Sequence, residues 1–220
     1  QFTNTETVPE PLTNKIIDRS SDTIKTKPSE DIVVDGSIDN KDTNQVVAVK
    51  TNLFPVGKWK IASDASSLEF RLGPSDAVTK GMFKSLNGAF VFTDKEASSS
   101  VKIKLPLSGF TTYNDFRDDG LMGEEYLDAQ KFPNVSFESI QWNQIEKQVR
   151  VIGNVSIRGI KEQITLDMRL LAHDKDESGE YVLISGASKL DRTKHGMSSD
   201  PKIGDLVDFD FKLELRRVKQ

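Results

Sequence analysis

The chain contains no cysteine among its 220 residues. That absence removes disulfide scaffolds, cysteine-ligated zinc, iron–sulfur clusters and thiol nucleophiles together, while leaving the compartment open, since oxidising compartments also host cysteine-free proteins. Histidine is nearly as scarce. His173 and His195 are the only two, and they lie too far apart for the H-x-x-x-H spacing of a helical metal site. No apolar run approaches the roughly 20 residues that a membrane-crossing helix requires. An excess of positive charge is missing too: 30 Lys and Arg face 34 Asp and Glu, a net charge of −4, so nothing provides a chain-wide footprint for nucleic acid. Neither a G-x-S-x-G elbow nor a Walker loop, dinucleotide fingerprint or H-E-x-x-H pair occurs. The pair Glu124-Glu125 falls in a short helical stretch where acids suit the macrodipole, so acid–base catalysis has no identifiable couple. Neither catalysis nor a cofactor or metal is expected.

What is present divides the chain unequally. Residues 1–57 are dominated by Asn, Thr, Ser, Asp and Lys, hold only Phe2 and Phe54 of the 17 aromatics, and set six basic residues against nine acidic ones. Such a composition buries little apolar surface and reads as a polar tail or linker. Ile32-Val33-Val34 and Val46-Val47-Ala48-Val49 are its short apolar pieces, able to form a weak hairpin or to lie along the main domain. The boundary is expected near Val56-Gly57-Lys58, with residues 58–220 as the folded domain. The chain opens on Gln1 and not on Met, from which a processed or trimmed N-terminus is expected.

In the larger part apolar residues recur at every second position. From Val207 through Phe209, Phe211, Leu213 and Leu215 one face is apolar, while Asp208, Asp210, Lys212, Glu214 and Arg216 occupy the other. The same reading gives Trp59 with Ile61, Leu68 through Leu72, Leu86 through Phe92, Val101 through Leu107, Val135 with Phe137, Val149 through Ile157, Ile164 through Leu170, and Tyr181 with Leu183. That is eight or nine strands. Short polar connections at 94–99, 143–147, 158–161 and 174–179 imply antiparallel hairpins. Asn114 to Phe132 breaks the pattern, and there Leu121, Met122, Tyr126 and Leu127 can share one side of a short helix that ends before Pro133. The fold class is all-β: an eight-stranded antiparallel barrel with one helical insertion, a sandwich being the other arrangement the pattern allows.

The inward candidates are Phe70, Phe90, Phe92, Ile103, Phe137, Ile157, Leu166, Met168, Phe209 and Phe211, which either line a tunnel or fill a core. Gly88, Gly153, Gly186, Ser139 and Ser185 leave room within the strands, or mark bulges. Arg117, next to Asp118 and Asp119, and Arg158 in its loop are candidates for a polar mouth, because a guanidinium suits phosphate or carbonyl oxygens; local salt bridges or helix caps are the plainer use of such groups. His195 reads equally well as a turn residue. Asp174 to Gly179 imitates the opening of a calcium loop, but Ser185 stands at the twelfth position where a bidentate Glu is needed, so it reads as a hairpin.

Several motifs in order carry a resemblance: Gly81-Met82-Phe83, Arg117-Asp118-Asp119-Gly120-Leu121, Tyr126 to Pro133, Phe137-Glu138-Ser139, Gly153 to Gly159, and Leu190 to Met197. Over roughly Lys58 to Val218 the chain resembles the YceI family, a lipocalin-like group of secreted bacterial proteins. The resemblance implies an extended barrel whose apolar interior takes up a long-chain amphiphile: a polyisoprenoid, a quinone or a fatty chain. It also implies a bacterial periplasmic or envelope location, with the N-terminal segment as a membrane tether, and it leaves a homodimer open. Three positions depart from the family: Asp64-Ala65-Ser66-Ser67 and Gly120 stand where it often has histidines, and His195 where it has an aromatic. A structural or stress-protective module with a filled barrel is the other reading, and an isoprenoid-modifying enzyme a third.

Overall fold

The structure, a computed structural model, describes residues 52–74 and 77–219, so the two apolar pieces at 32–34 and 46–49 lie outside the described residues. Strand β1 (Gly57–Ile61) is followed by β2 (Ser67–Leu72), β3 (Thr79–Phe83), β4 (Asn87–Phe92), β5 (Ser100–Pro106) and β6 (Phe110–Thr111). Helix α1 (Asp115–Leu121) precedes β7 (Asn134–Ile145), β8 (Gln148–Ile157), β9 (Ile160–Asp176), β10 (Gly179–Asp191) and β11 (Leu206–Arg217). Every pairing is antiparallel, and β11 closes the ring by pairing its last residues with β1 and its first half with β2. Closure removes the sandwich alternative.

Eleven strands make eight staves because the first three staves are each broken once. β1 and β2 run along β11, β3 and β4 along that pair, and β5 and β6 along the next. The breaks lie side by side and exchange the bonds that the ladder loses there: Leu86 N donates to Ser63 Oγ at 2.9 Å, Lys84 N to Gly109 O at 2.7 Å, and Glu214 N to Ser66 Oγ at 3.0 Å. Alternation alone does not reveal an interruption whose polar groups are satisfied by neighbours. Two bulges add further bends, leaving Ile140 of β7 and Leu171 of β9 unpaired and exposed. Between β8 and β9 the expected loop is a two-residue turn, Arg158-Gly159, with φ of 52° and 75°, the paired positive values of a type I′ hairpin. The stretch 174–179 is the β9–β10 hairpin, and Asp176 accepts from Ser178 N, Gly179 N and Arg216 Nη1.

The helical insertion is shorter than the apolar cluster suggested. Asn114 caps α1 by accepting from Arg117 N at 3.0 Å, and the helix ends at Leu121, so Met122, Tyr126 and Leu127 sit on the turns beyond it.

The barrel is packed solid at one end. Trp59, fully buried, meets Phe92 with ring centroids 6.3 Å apart, Phe92 meets Phe90 at 5.9 Å and Trp142 at 5.5 Å, and Val149, Val151, Val182, Ile184, Met168 and Leu215 fill the space between. Arg217 closes this end, its guanidinium 4.4 Å from the Trp59 ring centroid and paired with Glu180. Phe54 joins the cluster from ahead of β1, 4.8 Å from Phe92 and 4% exposed, while Leu53 N donates to Gln144 Oε1. The short contiguous run Leu53-Phe54-Pro55-Val56 has no period-two alternation, which is why composition groups Phe54 with the tail. Phe54→Ala is expected to cost about 3 kcal/mol, as for other buried Phe truncations. Phe116→Ala, at a side chain 91% exposed on α1, should stay within about 0.5 kcal/mol. Urea unfolding of the two variants checks the contrast.

Candidate ligand cavity

The opposite half of the barrel is open inside. A cavity of about 180 Å3 is lined there by inward residues of β2, β5, β7, β8, β9, β10 and β11. An apolar cavity of about 150 Å3 takes a benzene ring, so this space admits an apolar group of at least that size. Seven of the twelve candidate residues line it: Phe70, Ile103, Phe137, Ile157, Leu166, Phe209 and Phe211. Phe90, Phe92 and Met168 point inward as well, but at the filled end, where they pack against Trp59 and its neighbours. Alternation assigns a residue to a face and not to a depth along the barrel axis, and the two groups separate only by depth.

Three phenylalanines make the space. A Cβ added to Gly186 would lie 2.3 Å from Phe211 Cζ, one on Gly81 2.2 Å from Phe70 Cζ, and one on Gly153 2.4 Å from Phe137 Cζ. Gly186 stands directly opposite Phe211, and Gly81 opposite Phe70, in the strand register. Each ring therefore lies flat on the wall over a residue without a side chain, and does not project into the lumen. Phe110 stacks on Phe70 at 5.1 Å and 16°, extending the aromatic wall. Of the other small residues, Gly88 accommodates Ile61, whereas Ser139 accepts from Val101 N beside the bulge and is not part of the wall.

Two segments cover this end: Leu121, Tyr126 and Leu127 from α1 and the turns after it, and Met197 and Ile203 from the connection between β10 and β11. Arg192, 4% exposed, holds the second segment. It donates through Nε to Gly204 O at 2.7 Å, through Nη1 to Ser198 O at 2.6 Å, and through Nη2 to Asp205 Oδ1 at 3.3 Å. Nothing in the sequence singles out Arg192, because a buried arginine bonded to backbone carbonyls has no signature there that a solvated one lacks. Arg158, placed by its hairpin turn, bridges both segments through Nη1 to Gly196 O at 2.7 Å and Nη2 to Glu124 O at 2.9 Å. Arg117 is spent locally on the Thr112 hydroxyl and carbonyl, and Asp118 accepts from Thr111 and Thr112. Of the three, Arg192 lines the cavity, and the two candidates Arg117 and Arg158 do not.

A family model described as the YceI-like domain matches residues 59–215. The chain belongs to the YceI-like family. A UPF0312 protein of Yersinia pestis (strain Pestoides F) is 31% identical over 102 residues, which is 46% of this chain and 53% of the relative. One from Serratia proteamaculans (strain 568) is 29% identical over the same shares, so the chain spans about half the length of the curated relatives it matches. Among solved structures, Burkholderia cenocepacia BcnA superposes with a TM-score of 0.62 at 18% identity, covering 70% of this chain and 98% of that one. The YCEI protein of Campylobacter jejuni gives 0.58 at 22%, covering 64% and 86%. A domain from Saccharophagus degradans described as polyisoprenoid binding gives 0.52 at 13%, covering 73% and 98%. At these identities the likeness concerns the fold.

His195 occupies its departure from the family pattern as a fully buried ring. Nδ1 donates to Ile160 O at 3.1 Å, and Nε2 faces Glu162 Oε2 at 3.5 Å without a hydrogen bond. Burial pushes the imidazole below its ordinary range, opposed by the Ile160 carbonyl and by Glu162, whose other oxygen is taken by Lys194 at 2.6 Å. A depressed folded-state value means that the unfolded chain binds the proton first, so this group's contribution is present above the ordinary histidine range near pH 6.5 and is lost as pH falls. Relative to His195→Phe, the wild-type protein should therefore lose stability between pH 7 and pH 5, measured by urea unfolding at each pH. A relative gain on acidification would show that Glu162 holds the imidazolium.

Proposed function

We propose that this YceI-like domain binds a long apolar molecule in its open half and carries or sequesters it through the aqueous space of a bacterial envelope, without catalysis. The observation that carries the reading is the cavity itself: three aromatic rings are held against the wall by glycines, leaving an apolar space where side chains ordinarily fill a small barrel. The description of the Saccharophagus degradans neighbour supports the same ligand class, a polyisoprenoid, with quinones and fatty chains sharing the required chemistry. The N-terminal segment is the proposed tether to the membrane. Desolvation supplies the affinity. Burying about ten methylenes at ~0.8 kcal/mol each gives about 8 kcal/mol, which corresponds to a micromolar ceiling before association costs are subtracted.

The filled end of the barrel favours the competing structural module only in part, since it limits how deep a chain can reach. Purified protein is expected to yield an apolar lipid on organic extraction and native mass spectrometry, or to bind prenyl or fatty-chain ligands at about tens of micromolar. Neither result in hand, the filled-module reading replaces this one. Gly186→Ala should lift Phe211 off the wall into the cavity, weakening chain binding while costing about 1 to 3 kcal/mol of stability through overpacking. Binding and unfolding measured on the same preparation separate the two effects.

A further inference from the structure

Beside the cavity lies a second space of different chemistry. A surface depression of about 240 Å3 shares Tyr126 and Ile203 with the cavity wall, and its remaining rim is Glu125, Ser198, Ser199, Asp200 and Pro201. A chain lying in the cavity with its end toward these shared residues presents its head group here. The rim residues named are rich in acceptor oxygens. Asp200 Oδ1 already takes Lys202 N at 2.8 Å, and Ser199 Oγ donates to Asp205 Oδ2 at 2.7 Å, which leaves the Ser199 oxygen as an acceptor. None of the described residues lining the depression is Lys or Arg. Of the two arginines that tie the covers, Arg192 lines the cavity but has its donors taken by Ser198 O, Gly204 O and Asp205, and Arg158 has its donors taken by Glu124 O and Gly196 O.

We propose that this mouth selects the head of the ligand: a long apolar chain ending in an uncharged or ammonium group is accepted, and one ending in a carboxylate or phosphate is turned away. The inference rests on the carrier reading and adds the polarity of the ligand's end. An apolar cavity fixes where the chain stops, and Glu125 and Asp200 then fix which charge is tolerated at that point, because a like charge set against them is repelled and an ammonium is attracted. Glu125 is exposed and Asp200 half-buried, so the preference is of the kind that salt screens.

Tetradecanol, tetradecylamine and myristate share one alkyl chain and differ only at the head. Titrated into the full chain at pH 7.5 and low ionic strength, the alcohol and amine should bind, with myristate about tenfold weaker than the alcohol. Added salt should narrow the gap between amine and carboxylate. The double variant E125Q/D200N, which keeps the acceptor toward Lys202 N, should erase that gap, and E125K/D200K should reverse it, each read as the ratio of amine to carboxylate affinity. If the alcohol binds and the three heads rank equally, or if the variants do not move the ranking, the head-group proposal is overturned while the carrier reading stands. If none of the three probes binds to protein freed of lipid, the carrier reading falls and takes the proposal with it.

Discussion

A closed barrel of eight staves has an interior about as wide as its own side chains, so an internal cavity exists only where something draws those side chains back. In this protein that constraint is met by contact between aromatic rings and bare backbone. Phe70, Phe137 and Phe211 occupy the places where Gly81, Gly153 and Gly186 lack a Cβ, and each ring keeps its apolar area on the lumen while yielding its bulk to the wall. The arrangement spreads around the ring of strands, since the three rings belong to β2, β7 and β11. The width of the lumen therefore depends on three positions that tolerate no side chain.

The solid end makes the open end affordable in stability. Apolar burial is the main stabilising contribution in a domain of this size, and a barrel hollow along its whole length would forgo much of it. Here Trp59, Phe90, Phe92, Trp142 and Phe54 concentrate large rings at the end opposite the cavity. The aligned breaks in the first three staves let the wall change direction without orphaning backbone groups, because serine hydroxyls and neighbouring carbonyls take up the bonds. Packing, bending and cavity are thus consequences of how the same strand pattern is filled at different depths.

Much of this was legible in the residues. Period-two alternation gives the staves and their inward faces, and Arg158-Gly159 announces a tight hairpin. The small residues point to spare volume, though by a route the string does not display: glycine receives a ring from the opposite strand and does not simply leave a gap. Depth along the barrel was not legible, because Phe90 and Phe211 are equivalent in pattern and differ only in what lies across from them. Nor were the arginines distinguishable. Arg117 turns back on Thr112, Arg158 spans two covering segments, and Arg192 is buried, and these fates follow from tertiary placement.

The two covering segments are not held equally, and the difference bears on how the cavity communicates with solvent. Arg192 is buried and makes three bonds to the segment from Ser198 to Asp205, while its own backbone N donates to Asp205 O at 2.9 Å. Hydrogen bonds shielded from water, with a charged donor, contribute about 1.5 to 3 kcal/mol each, so that side is firmly closed. The turns after α1 are tied across the mouth by Arg158, which gives them one of its two bonds, to Glu124 O, the other going to Gly196 O. The bonds among residues 121–132 are internal to that segment, such as Leu127 N to Leu121 O at 3.0 Å, and they survive its displacement as a unit. Besides that guanidinium bond, the segment is held by apolar contacts: Leu121, Tyr126 and Leu127 at the cavity wall and Met122 and Ala129 against the core. The two covers are thus held by different means, the one after β10 by a buried charged donor set and the one after α1 chiefly by apolar contact.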